Sequence, residues 1–156
     1  MFKKIVFSLL FFLSSGLSAM AADSVQSLID EGNRLWSQNQ LEAAEAQFKQ
    51  AIAMDADASL AYARLAGLYL TSNRSAEAIP LYQQAIMHDP ENPKLFMGLS
   101  IAYLHQAEYG MAREMAQEAL RLDPKLKNAE KMREYIDAKE AALASTAKAE
   151  KPADHH

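Results

Sequence analysis

The sequence predicts an all-α chain, a short solenoid of three helical hairpins closed by a terminal helix. Three observations carry that expectation. A 34-residue period runs through the middle of the chain. Within each period, apolar residues return at three- and four-residue steps, the spacing of one helix face. The composition also favours helix: alanine is abundant, β-branched residues are scarce, and glycine and proline number five each in 156 residues. Half the residues are hydrophobic, enough for about one domain. With no cysteine in the chain, disulfides, thiolate metal sites, c-type haem attachment and a cysteine nucleophile are all excluded.

The chain opens on a segment unlike the rest. Lys3 and Lys4 make a positive start, and Ile5 to Leu13 is apolar except for Ser8. Ala19-Met20-Ala21 then fits the small-x-small pattern of a cleavage site. Residues 1–21 read as a signal peptide of bacterial type, with cleavage near Ala21. A single membrane anchor is the rival reading, but the apolar run falls short of the roughly 18 to 20 residues that a span needs. No cysteine follows it to carry a lipid, so the mature chain is expected free in the periplasm, or secreted. Losing Lys3 and Lys4 leaves 14 basic and 20 acidic residues, a net charge of about −6 against −4 for the full chain. Nucleic acid and anionic membranes are thereby disfavoured as main partners.

Residues 22–126 hold the repeats, as units 25–58, 59–92 and 93–126. Ala-Ile-Ala-Met-Asp at 51–55 returns as Ala-Ile-Met-His-Asp at 85–89 and as Ala-Leu-Arg-Leu-Asp at 119–123. Ala44, Ala78 and Ala112 precede these at one constant offset. In the second unit Tyr62, Leu65, Ala66, Tyr69 and Leu70 mark a first helix, and 71–75 is rich in turn formers. Ala78, Ile79, Tyr82, Ala85 and Ile86 mark a second helix. It ends at Asp89-Pro90, because a residue before proline is pushed out of the helical region. Pro80 lies near the start of that helix, where the bond it forfeits is one of the first. Small residues at Gly32, Ala44 and Ala51, and at Ala66, Ala78 and Ala85, let paired helices approach closely. No such hairpin buries its apolar face alone, so stacking supplies the core.

Residues 127–144 continue with Met132, Tyr135 and Ile136 among charges, and are read as the polar-faced helix that caps a solenoid. Residues 145–156 lack large apolar side chains and are expected to be a disordered tail. The terminal His155-His156 pair reads as solvated rather than metal-binding.

The period and its landmarks resemble the tetratricopeptide repeat family from about Val25 to Leu126. The second unit supplies Tyr62, Leu65, Ala66, Tyr69, Ala78, Tyr82, Ala85 and Pro90 at the family's positions. The first departs from the pattern with Ala56 where proline is usual, and the third with Ala116 at an aromatic position. The resemblance implies a right-handed superhelix whose first helix in each unit lines a concave groove, at its second, fifth, sixth, ninth, twelfth and thirteenth positions. Those positions give Ile29, Asn33 and Trp36 in the first unit, Leu60, Arg64 and Leu70 in the second, and Lys94, Met97, Ile101, Leu104 and His105 in the third. The twelfth is apolar each time (Trp36, Leu70, Leu104), and such a strip suits a peptide or helix with apolar anchors. Trp36 stands out, since tryptophan is favoured at interface hot spots. One subclass of the family grips a C-terminal carboxylate with a clamp of lysines and asparagines. Asn33, Arg64 and Lys94 stand at positions matching that clamp, whereas Ile29 and Gly98 replace a lysine and a basic residue.

Nothing in the sequence points to catalysis. His88 and His105 lie 17 residues apart in different units. No zinc-protease, nucleophile-elbow, phosphate-loop or calcium-loop motif is present. No cofactor or metal is expected, and the chain is read as non-enzymatic. The expected function is a periplasmic protein–protein interaction scaffold that binds a peptide segment of another protein, in envelope complex assembly or in cytochrome or secretion biogenesis. Two alternatives come from other classes. One is a self-assembling structural repeat protein, and the other an accessory subunit of a periplasmic enzyme.

Overall fold

Seven helices and no strand make up residues 24–149, the part of the chain that the structure, a computed structural model, describes. The expected signal peptide and the His155-His156 pair lie outside the described residues. The helices are α1 (24–37), α2 (Leu41–Met54), α3 (Ser59–Thr71), α4 (Ser75–His88), α5 (Pro93–His105), α6 (Tyr109–Leu122) and α7 (Lys127–Ala149). They pair as α1–α2, α3–α4 and α5–α6, and each pair packs on the next to form an all-α solenoid. α4 runs unbroken through Pro80.

The period is written into the backbone. Asn39, Asn73 and Ala107, spaced 34 apart, all have positive φ, at 59°, 58° and 59°. Each ends its first helix in the same way. The next residue's N–H reaches back five residues, from Gln40 to Leu35 O (3.0 Å), Arg74 to Tyr69 O (2.8 Å) and Glu108 to Tyr103 O (3.0 Å). This is the helix-terminating motif that wants a left-handed residue just past the helix. Asparagine tolerates that conformation, whereas alanine pays for it sterically. The second helices also share one ending. Asp55, Asp89 and Asp123 leave the helical region, and their N–H groups bond Ala51, Ala85 and Ala119 O at 2.9–3.0 Å. Ala56 in place of proline therefore does not change how the first unit ends.

Close approach rests on small residues. Ala44, Ala78 and Ala112, and Ala51, Ala85 and Ala119, are all fully buried. Phe48 lies so near Gly32 that a Cβ there would stand 2.4 Å from its ring. At the position matching Gly32 the third unit has Ser100, whose buried hydroxyl donates to Ala112 O at 2.6 Å.

On the outer side, charges tie the first unit to the second. Glu45 accepts from Lys49 (2.6 Å), Tyr69 (2.7 Å) and Arg74 (2.9 Å), while Arg74 lies 3.8 Å above the Tyr69 ring and also grips Glu77. Burial works to raise the Glu45 pKa, but the three donors outweigh it and hold the carboxyl down at about 2. Arg113 occupies the matching register position two units on. It binds Asp137 (2.9 Å) and Glu140 of α7.

α7 differs from expectation at its far end. It was expected to stop at 144 with a disordered tail from 145, yet it continues to Ala149. Its last turns are Ala-rich, and alanine forms helix with little need of tertiary contact. Residues 150–156 lie outside the described residues. Toward the solenoid, Ala129 and Ile136 of α7 are fully buried.

Candidate binding groove

α7 is more than a lid. It begins at Lys127, 34 residues after Pro93 and 68 after Ser59, so it stands where the first helix of a fourth unit would stand. Its second, fifth, sixth and ninth positions are Asn128, Lys131, Met132 and Tyr135. Together with Met97 and Leu104 of α5, these four side chains line an open hollow of about 380 Å³. Its lining is apolar at Met97, Leu104, Met132 and the Tyr135 ring, and polar at Asn128 and Lys131. Tyr135 is half-exposed, and the Lys139 ammonium lies 5.5 Å from its ring centroid. The structure thus brings Met97 and Leu104 of the expected strip together with four α7 residues that the sequence reading left out of the groove. The signal for those four was the period itself, carried one unit further.

The remaining expected residues divide by depth. Leu60, Arg64, Lys94 and His105 are exposed, whereas Asn33, Leu70 and Ile101 are partly covered. Arg64 is close enough to Tyr82 to offset part of the burial that raises the Tyr82 pKa. Ile29 is a correction. It is 2% exposed and belongs to the core with Val25 and Leu35. The apolar stripe of α1 that faces the stack simply includes it, so it offers no surface to a partner. Trp36 is split between two tasks. Its ring meets Phe48 edge-on at 6.4 Å and approaches Gly67 so closely that a Cβ there would lie 3.1 Å away. Gly67 is what lets the indole seat on α3, and only part of the ring remains for binding. Gly98 is likewise taken up, since a Cβ on it would stand 2.4 Å from the Tyr82 ring.

Two Tetratricopeptide repeat models match the chain, over residues 29–93 and 70–133. The chain belongs to the tetratricopeptide repeat family. Among curated proteins it is similar to cellulose synthase operon protein C of Pseudomonas fluorescens (strain SBW25), at 29% identity over 96 residues. That match spans 62% of this chain and 8% of that protein. Among solved structures, the second TPR domain of human RPAP3, in complex with the HSP70 peptide SGPTIEEVD, superposes with a TM-score of 0.70 at 27% identity. The overlap covers 76% of this chain and 97% of that one. The Yersinia enterocolitica type III secretion chaperone SycD, in complex with a peptide of the translocator YopD, gives 0.71 at 18% identity, covering 76% and 95%. Against the family's carboxylate-clamp pattern, this tetratricopeptide repeat chain has Asn33, Arg64 and Lys94 at matching positions, with Arg64 and Lys94 exposed. The other two positions are closed: Ile29 is core, and Gly98 lies beneath Tyr82.

Proposed function

We propose that this chain is an exported, non-catalytic adaptor that seats a segment of a partner protein in its concave groove, in the periplasm, during assembly of an envelope complex. The observation that carries this reading is the largely apolar hollow between α5 and α7, open to solvent, with Asn128 and Lys131 as polar groups in its lining. Grooves that combine apolar side chains with a few polar groups hold amphipathic segments. The peptide complexes of the RPAP3 domain and of SycD support the same use of this fold. Export is supported by the leader pattern ending at Ala21.

Photo-crosslinking in cells tests both halves. A crosslinkable residue at Met132 or Tyr135 is expected to trap one partner protein, whereas the same group at Met87, 70% exposed and outside the groove, traps none. Adducts from Met87 alone would move the binding face elsewhere. The same cells should yield a chain beginning at Ala22 in the periplasmic fraction, and an uncleaved cytosolic chain would end the export reading.

A further inference from the structure

Tyr82 stands apart from the other buried tyrosines. Tyr69 donates its hydroxyl proton to Glu45 at 2.7 Å, and the Tyr103 hydroxyl accepts from Gln83 at 3.2 Å. Tyr82 is only 8% exposed, yet its hydroxyl bonds no described residue. Among the described residues no fully buried polar side-chain atom lacks a partner, so this oxygen touches solvent. The ring reaches from α4 to both α3 and α5. Its oxygen lies 2.7 Å from where a Cβ on Gly98 would stand and 3.8 Å from where one on Gly67 would stand. Both glycines occupy groove positions, the ninth of α3 and the sixth of α5, and Gly67 is partly exposed. Packing does not require the hydroxyl, because the matching residue is Phe48 in the first unit and Ala116 in the third. Ala116 sends no ring toward α7, and the open hollow lies between α5 and α7.

We propose that the Tyr82 hydroxyl is a main-chain binding point: in the notch between Gly67 and Gly98 it donates a hydrogen bond to a backbone carbonyl of a partner segment bound in extended form. The inference rests on the groove being the binding surface, as argued above, and adds the conformation of its occupant and a residue that reads it. With no methyl group on either glycine, a backbone can descend to the oxygen. A helical segment uses its carbonyls on its own N–H groups, and its side chains hold its axis off the surface. An extended segment leaves its carbonyls free. Burial keeps the Tyr82 phenol protonated at neutral pH, so the hydroxyl is available as a donor. The notch and the hollow lie on opposite sides of α5. Packed helix axes are about 8–10 Å apart, so roughly three extended residues link a carbonyl at the notch to an apolar side chain in the hollow.

The probe is a peptide selected from a random phage-displayed library on the mature chain and lost on Leu104→Glu, a variant checked for unchanged helicity. Resynthesised, it should bind Tyr82→Phe about tenfold more weakly. Helicity and melting temperature should be unchanged in that variant, since the ring keeps its seat on Gly98. The peptide's amides are then replaced one at a time by esters, whose carbonyls are poorer acceptors. One replacement should weaken binding to the unaltered protein severalfold and have no effect on Tyr82→Phe, the mark of two changes that remove one bond. Transferred nuclear Overhauser contacts should show an extended backbone at that position, and helical contacts there would overturn the proposal. Equal binding to Tyr82→Phe, or an ester scan that reads the same on both proteins, would overturn the hydroxyl's role while leaving the groove intact. If no selected peptide is lost on Leu104→Glu, the groove reading falls and this inference falls with it.

Discussion

Ala107 adopts the left-handed conformation that asparagine takes at the two equivalent turns. Nothing at the turn demands a methyl group, so the strain can be relieved by substitution. Ala107→Gly is expected to raise stability by about 1 kcal/mol, the left-handed penalty less the entropy that glycine adds to the unfolded chain. Ala107→Asn should recover part of that gain. Urea unfolding followed by circular dichroism measures both, and a lower midpoint for the glycine variant would show that the turn is not strained. This turn also marks where sequence reading stops at the residue scale. Asn39 and Asn73 announce their conformation, whereas Ala107 reveals it only through the period. Ile29 shows the complementary limit. An isoleucine at a groove position reads as an apolar anchor, and only packing shows that α1 turns it inward.

Between elements, the Glu45 cluster makes a prediction whose sign follows from its pKa. The carboxyl sits at about 2 in the folded chain against an ordinary 4.5. Its contribution is therefore present above about pH 4.5 and is lost as pH falls toward 2. Glu45→Gln should lower stability at pH 7 by about 1 kcal/mol, a modest figure because Arg74 and Lys49 remain partly in water. The deficit should vanish near pH 2; a deficit that persists there would mean that packing, not charge, is what the variant disturbs. α7 carries a larger share. A chain ending at Leu126 loses the contacts of Ala129 and Ile136 and bares the Met97–Leu104 side of α5. We expect a loss of roughly 2–4 kcal/mol, from burial alone, with concentration-dependent association in light scattering. A monomer melting at the same temperature would show that α7 is dispensable to the stack. The sequence marked α7 as a cap from its charges. Its extent past 144 is not legible in the sequence, because an alanine-rich stretch has no apolar period to read.

Across the whole molecule, what was legible is what repeats. Helix pairs, their ends and the stacking order follow from the 34-residue period and its small residues. The binding surface was half legible, since family positions marked Met97 and Leu104, while the other wall of their hollow lies past the last complete unit. Charge placement was legible in part. Arg34, Lys49, Arg74 and Arg121 pair with carboxylates three or four residues away, which spacing encodes, whereas the Arg74–Glu45 and Arg113–Asp137 pairs depend on how neighbouring helices are set.

The phase of α7 has one more consequence. Because its first residue falls one full period after Pro93, the junction ahead of Lys127 is equivalent to the junction ahead of Pro93. A duplicated 93–126 block spliced there would keep the contacts with the 59–92 unit and with α7 at its outer junctions, while its internal junction would set Tyr103 and Gln106 opposite Arg113, where Asp137 and Glu140 now stand. The reach of the molecule is then a count of modules, a quantity that gene duplication or deliberate splicing can reset while both ends keep their fit.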